Sequence, residues 1–224
     1  MRSILIILLL MLVVVSAKSQ KWQPGYFMDI KNNRMDGLIN PNPGGKSPVK
    51  DEGFIAFKTN KDANEIKLSC SDLKWFVAGK DSFVVAHPPN GVNWAHELDF
   101  VKVALDEQLK LYVLNGSSGK GSGSGVHFSP GFGLGVGGGS YAGGGVGISL
   151  GGGGGNGGRS KAVYYFGVNT AELTELNYQN FEDVMSEIMG DEPEVVEQIK
   201  AHRFGMGNLD KLINYFKQVK ASHQ

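Results

Sequence analysis

The chain has 224 residues, with 22 basic and 22 acidic side chains and a single cysteine. This length suits one domain or two small ones. The charge balance excludes the basic stripe typical of nucleic-acid binding, so no nucleic acid is expected as a partner. One cysteine also excludes an intramolecular disulfide.

The N-terminus has the pattern of a secretory signal peptide. Arg2 precedes an unbroken apolar run over residues 4–15, and the small residues of SAKSQ follow. The run is shorter than the ~20 residues that a membrane-spanning helix needs, which is typical of a signal peptide. We predict a signal peptide over residues 1–19, leaving Gln20 first, and export to the periplasm or to the outer envelope and extracellular space. Cleavage after Ala17 and an uncleaved N-terminal anchor are the alternatives.

Residues 20–115 are predicted to form a β-rich domain. Alternating residues on both sides of Asn32 and Asn33 predict a hairpin with a two-residue turn. A second hairpin is expected over residues 98–114, and one helical turn is expected near Asp72. Further strands are predicted from short alternating runs at residues 53–58, 65–69 and 81–86.

Residues 116–160 are strongly enriched in glycine. Between Gly116 and Arg159 there are 22 of the 33 glycines of the chain. The apolar runs LKLYVL and AVYYFGV flank this segment, so we predict them to be antiparallel neighbours, with residues 161–169 as the returning strand. The glycine-rich segment is then expected to be a flexible insertion at the tip of a long hairpin. Loop closure costs only about 0.6 kcal/mol per doubling of length, so such an insertion is tolerable.

In residues 170–224 the spacing of the apolar residues changes from the alternation of strands to the three-and-four spacing of helices. Apolar residues spaced by three and four predict three short helices. Their stripes are Phe181, Val184, Met185 and Ile188; then Val195, Val196 and Ile199; then Leu209, Leu212, Ile213, Phe216 and Val219. The predicted fold class is therefore α+β. An antiparallel small barrel or roll, with a long glycine-rich hairpin tip, precedes three C-terminal helices.

Fragments that resemble phosphate-binding motifs do not support a cofactor. Gly45, Lys46 and Ser47 imitate the end of a P-loop, but Asn40 replaces the required glycine and Pro48 follows. The G-x-G-x-x-G spacings in the glycine-rich segment arise from composition, and neither opens a helix. No cofactor-binding residue is predicted.

Catalytic and metal-binding residues are not predicted either. His96, Glu97 and Asp99 are close in sequence, but on an extended strand His96 would face away from the two carboxylates. Cys70 follows an alternating strand and is expected to be a structural thiol. Carboxylate pairs at the helix starts are explained by the helix dipole.

Three segments together resemble a group of uncharacterised exported proteins of Bacteroidetes-type bacteria. They are GYFMDIKNNRMDGLI, LSCSDLKWFVAGKDSFVV and FEDVMSEIMGDEPEVVEQIKAHRFGMGNLDKLINYF. The resemblance implies a small β-rich unit, a variable hairpin tip, a short helical tail, and residence in the periplasm or outer envelope. It implies no substrate, cofactor or catalytic residue.

The sequence favours a non-catalytic binding or interaction module of the cell envelope. Its partner would be another envelope protein or a membrane surface, contacted by apolar residues that alternate with glycine in the hairpin tip. Two alternatives are a peripheral membrane protein that uses the same hairpin, and an enzyme whose site assembles only in three dimensions. The predicted interaction residues are Phe132, Leu134, Val136, Val146, Ile148 and Leu150.

Overall fold

The computed structural model describes residues 22–115 and 162–223. These residues form one antiparallel sheet of ten strands, followed by three helices. The strands are β1 (Gln23–Asp29), β2 (Arg34–Asn40), β3 (Phe54–Lys58), β4 (Ile66–Ser69), β5 (Leu73–Ala78), β6 (Asp81–Ala86), β7 (Asp99–Leu105), β8 (Lys110–Asn115), β9 (Ala162–Gly167) and β10 (Thr174–Glu175). The helices are α1 (Phe181–Ile188), α2 (Pro193–Lys200) and α3 (Leu209–Ser222).

The predicted α+β class with three C-terminal helices is confirmed, but the sheet is not the closed small barrel that was expected. Its strand order is β10-β9-β8-β7-β6-β5-β1-β2-β3-β4, so β10 and β4 are free edges. The physical reason is that the edge strands β4 and β10 do not pair with each other, while each of β3 and β7 already pairs with two neighbours. Only one isolated parallel bridge, between Glu52 and Leu98, joins the segments that precede these two strands.

The connection between β4 and β5 forces the N-terminal half of the sheet to curl. These strands are four places apart in the sheet, or roughly 19 Å if the sheet were flat. A single 3₁₀ turn, Cys70–Asp72, joins them. Four residue steps reach at most about 14 Å. The sheet therefore bends until the end of β4 comes close to the start of β5.

Two glycines allow this curl. Gly25 of β1 and Gly37 of β2 lie directly opposite each other. A Cβ atom on Gly37 would meet the carbonyl oxygen of Lys58 and would lie 2.6 Å from the Phe57 ring. The curl encloses an aromatic cluster, in which Phe27 meets Phe57 edge-on at 4.9 Å.

The C-terminal half of the sheet has buried side chains on both faces. In β8, the four residues Leu111, Tyr112, Val113 and Leu114 are all buried. Leu111 and Val113, with Tyr164 of β9, belong to one hydrophobic cluster that includes residues of all three helices. The predicted apolar stripes form this interface, except for Val196, which is only partly buried.

The opposite face of the same strands is covered in part by the loop before β7. Tyr112, Leu114 and Tyr165 belong to this second cluster, and half-buried Trp94 packs against it. The Trp94 indole nitrogen donates a hydrogen bond of 3.0 Å to the Tyr165 hydroxyl. This contact fastens the loop to β9.

The predicted pairing of the strands around the glycine-rich segment is confirmed. Strands β8 and β9 are antiparallel neighbours over six residue pairs, from Lys110 opposite Gly167 to Asn115 opposite Ala162. The predicted glycine-rich hairpin tip itself lies outside the described residues.

Replacing Gly37 with alanine is expected to destabilise the protein by about 2 kcal/mol, because the new methyl group overpacks the curl against Phe57. Urea denaturation of the variant and of the unmodified chain measures this. Gly44→Ala is the matched control, since a Cβ atom there has nothing within 4 Å. Equal losses in the two variants would contradict the role given to Gly37.

Candidate functional site

The first candidate site is the corner around His96. Residues 95–97 are a bend rather than a strand. The bend turns the His96 ring towards Asp99, and their Nδ1 and Oδ2 atoms are 2.9 Å apart. The expectation that these side chains face opposite sides was therefore wrong, because the chain becomes extended only at Asp99.

The hydrogen bonds of this corner hold parts of the backbone together. The second carboxylate oxygen of Asp99 accepts a 2.8 Å hydrogen bond from the Phe100 N–H. Nearby, the N–H of Gly53 donates to the Leu98 carbonyl and that of Glu97 donates to the Asp51 carbonyl, both at 2.8 Å. These bonds hold the β3 segment against the β7 segment, where the curled half meets the rest of the sheet.

Burial and neighbouring carboxylates suppress the reactivity of Cys70. Its side chain is buried at the start of the 3₁₀ turn. Desolvation raises the pKa of the thiol far above its ordinary value, and the negative charges of Asp99 and Glu52 raise it further. The thiolate is the nucleophilic form of cysteine, so this environment opposes nucleophilic chemistry. The position agrees with the structural role predicted for Cys70.

A small depression beside His96 has a volume of about 190 Å³. Asp51, Trp94 and Glu97 contribute to its walls. This volume is below the roughly 300–1,000 Å³ of typical ligand pockets. The His96 corner therefore offers little room for a substrate.

The second candidate site is a groove between the end of α3 and the sheet, with a volume of about 380 Å³. We call it the lysine groove. Its lining includes Ala104, Leu105, Glu107, Phe216, Lys217 and Lys220. The last turns of α3 lie beside residues of β6 and β7 here.

Ion pairs surround the lysine groove. The Lys102 ammonium lies 2.6 Å from the Asp81 carboxylate, and its side chain is only 11% exposed. Lys220 lies 2.6 Å from Glu107. Lys110 pairs with Asp106 at the turn between β7 and β8. Each of these carboxylates thus has one lysine partner.

Lys217 is different from the other lysines of the groove. Among the described residues, no hydrogen bond or ion pair is found for it. Desolvation lowers the pKa of its ammonium group, the charge of Lys102 lowers it further, and Asp81 partly opposes this effect. Lys217 is an exposed residue at the edge of the groove.

Sequence reasoning did not find the lysine groove. Lys102 and Lys217 are far apart in the chain, and lysines on a strand and on a helix are ordinary surface residues when read locally. The only local signal was the lysine-rich end of α3, which suits the helix dipole equally well. The predicted interaction residues Phe132, Leu134, Val136, Val146, Ile148 and Leu150 lie outside the described residues.

Comparison with protein-family models, with curated proteins and with solved structures found no match. Over residues 22–115 and 162–223, no helix is long and apolar enough to cross a membrane. The same residues contain no group of three or more histidine, cysteine, aspartate or glutamate side chains arranged to hold a metal ion.

The His96–Asp99 pair is expected to make stability depend on pH. The hydrogen bond to Asp99 is the main cause of the raised pKa of His96, with partial burial opposing it and the charges of Asp99 and Asp51 adding to it. A raised folded-state pKa gives stabilisation that is complete below the unfolded value of about 6.5 and is lost as the pH rises through the folded value. His96→Ala should therefore lower the free energy of unfolding more at pH 5.5 than at pH 8.5.

Denaturant titrations of the variant at both pH values measure this difference. His87→Ala is the matched control, because His87 is exposed and makes no hydrogen bond or ion pair within the described part of the chain. A His96→Ala cost that is the same at both pH values would show that the pair contributes nothing through protonation.

Proposed function

We propose that this protein is an exported protein of the cell envelope and acts as a non-catalytic binding or interaction module. The proposal of export rests on the apolar run at residues 4–15 and the small residues that follow it. The resemblance to exported Bacteroidetes-type proteins agrees with export. The partner we propose is another envelope protein.

One observation supports the binding role most directly, namely the register of β8 and β9. Asn115 and Ala162 are directly opposite each other, so the two ends of the segment between them are anchored at neighbouring positions of the sheet. The centres of the two strands are also buried on both faces, at Leu111 to Leu114 in β8 and at Tyr164 and Tyr165 in β9. A segment that begins and ends on such a rigid pair is held at one place on the protein, and loops held by a rigid scaffold often carry recognition.

The composition of the segment indicates how it would bind. Its apolar side chains alternate with glycine, at Phe132, Leu134 and Val136 and again at Val146 and Ile148. Large apolar side chains dominate the buried centres of protein interfaces. We therefore propose that these residues, together with Leu150, contact the partner.

The reactive groups of the described residues support a non-catalytic role. Cys70 is sealed from solvent and its thiol has a raised pKa. His96 is held by Asp99, beside a depression of only about 190 Å³. Both side chains lie where the segments that precede β3 and β7 are hydrogen-bonded to each other.

Cross-linking in living cells tests this proposal. The unmodified chain is compared with a variant in which all six apolar residues are serine. We expect the unmodified chain to form discrete cross-links to an envelope protein and the variant to lose them, because the apolar contact surface is removed. Mass spectrometry of the cross-linked envelope fraction identifies the partner.

The control variant changes six other residues of the same segment to threonine, and it should keep the cross-links. The changed positions are Ser117, Ser118, Ser122, Ser124, Ser129 and Ser140. Identical cross-linked proteins in all three chains would contradict a recognition role for the apolar residues. Flotation of the unmodified chain with phosphatidylethanolamine–phosphatidylglycerol vesicles would instead favour the membrane surface as the partner.

A further inference from the structure

Strand β4 forms one edge of the sheet, and among the described residues no strand pairs with its outer side. At its start, residues 64–67 are all exposed, and they include the large apolar side chain of Ile66, which is 49% exposed. At its other end Ser69 is buried, and its hydroxyl accepts a 3.2 Å hydrogen bond from the Val49 N–H. The open part of this edge is therefore residues 64–67.

The β3–β4 ladder shows which backbone groups face the open side. The Cys70 N–H donates a hydrogen bond of 3.0 Å to the carbonyl of Gly53, which lies just before β3. Because hydrogen-bonded and non-hydrogen-bonded pairs alternate along an antiparallel ladder, Leu68 and Ile66 are also bonded to β3. Lys67 lies between them, so its N–H and carbonyl point away from β3.

The same alternation applies to the residues on either side. The Ser69 N–H also points away from β3, but it donates a 2.8 Å hydrogen bond to the Asp72 carboxylate. Glu65 directly precedes the strand and is exposed, and its carboxylate makes no ion pair within the described residues. Glu65 and Lys67 therefore carry the backbone donors and acceptors that another strand could use.

Charge selects the register in which this edge can pair with the same edge of a second copy. Such a pair is antiparallel about a two-fold axis, and outward residues must face outward residues. Facing Lys67 with Lys67, or Glu65 with Glu65, puts like charges directly opposite each other, which destabilises a strand pair. Facing Lys67 with Ser69 fails because the Ser69 N–H already has its acceptor. The remaining register places Glu65 of each copy opposite Lys67 of the other.

This register also places the two Ile66 residues opposite each other at the two-fold axis. They form a non-hydrogen-bonded pair, in which the side chains approach most closely. Within one copy Ile66 is opposite Phe57, so its side chain lies on the face of the sheet that carries the aromatic cluster inside the curl. The contact between the two copies therefore covers an exposed apolar side chain on that face.

We propose that the protein forms a homodimer in which the β4 edges of two copies pair antiparallel, with Ile66 opposite Ile66 and Glu65 opposite Lys67. A lysine on an edge strand commonly prevents such pairing, but here Glu65 provides its counter-charge. Each Glu65–Lys67 pair also exchanges two backbone hydrogen bonds. The interface is short, so the dimer dissociates reversibly. It lies outside residues 116–160, so the proposal stands whether or not that segment binds a partner.

Sedimentation of the purified full chain over a range of concentrations tests the proposal. We expect a reversible dimer with a dissociation constant between about 10 μM and 1 mM, as for small interfaces. Glu65→Lys and Lys67→Glu should each weaken the dimer by at least about tenfold, because each puts like charges opposite each other. An equal mixture of these two variants should associate again, because each acidic edge then faces a basic one.

The matched controls make the same charge changes elsewhere on the surface. Glu172→Lys and Lys80→Glu alter exposed residues outside β4, and they should keep the dissociation constant within about threefold of the unmodified chain. Circular dichroism of every variant shows that it is folded, so loss of the dimer is not confused with loss of structure.

Ile66→Cys tests the register itself. The Cα atoms of a non-hydrogen-bonded pair are about 4.5 Å apart, which is within the range that a disulfide spans. Copper-catalysed air oxidation should therefore link two copies of this variant. Val168→Cys is the control, because Val168 is exposed beyond β9, and it should yield at least about tenfold less covalent dimer. Cys70 is buried and should not contribute.

Four results would overturn the proposal. They are a chain that remains monomeric up to about 1 mM, a dimer that Glu65→Lys and Lys67→Glu leave intact, a mixture of these two variants that does not associate, and equal cross-linking of the two cysteine variants. A monomeric chain whose Ile66→Cys variant is cross-linked in cells to a different protein would assign the β4 edge to that protein instead.

Discussion

The burial of β8 and of the centre of β9 on both faces is the constraint on which the rest of the structure depends. A strand buried on both faces exposes none of its side chains, so Leu111 to Leu114 are four consecutive apolar or aromatic residues. The three helices cover one face, and the segment around Trp94 covers part of the other. Each large side chain buried in this way contributes on the order of 1.5–3 kcal/mol. The short helices have narrow apolar stripes, so they depend on this sheet face for their own stability.

The two halves of the sheet meet at β7. One end of β7 lies at the Glu52–Leu98 bridge, where the curled half returns to the sheet and where His96, Asp99 and Cys70 are collected. Its other end continues to Leu105, in the wall of the lysine groove. The His96 corner therefore serves the joint between the halves. The groove lies where the last turns of α3 pass over the sheet.

The strands and helices whose apolar residues follow a regular spacing could be predicted from the sequence. The hairpin at Asn32, the β7–β8 hairpin, the β8–β9 pairing and the helical stripes follow from alternation or from helical spacing. Strand β5 was not predicted, because a bulge opposite Met28 and Asp29 breaks its alternation and places Leu73 and Phe76 on the same side. The open sheet could not be predicted, since it depends on whether the edge strands β4 and β10, which are distant in the chain, pair with each other. The lysine groove depends on contacts between residues distant in the chain, such as Lys220 and Glu107, which no local pattern contains.

The central claim is that the pairing of β8 with β9 does not depend on the glycine-rich segment, which is an insertion between them. The most direct test replaces residues 116–161 with Asn-Gly, a two-residue turn that suits the facing pair of Asn115 and Ala162. Urea denaturation and hydrogen exchange of β8 and β9 are then measured. The account predicts a folded protein that keeps amide protection in both strands. It should be at least as stable as the full chain and up to about 3 kcal/mol more stable, because loop closure costs less. Unfolding of the variant, or loss of protection in β8 and β9, would contradict the account.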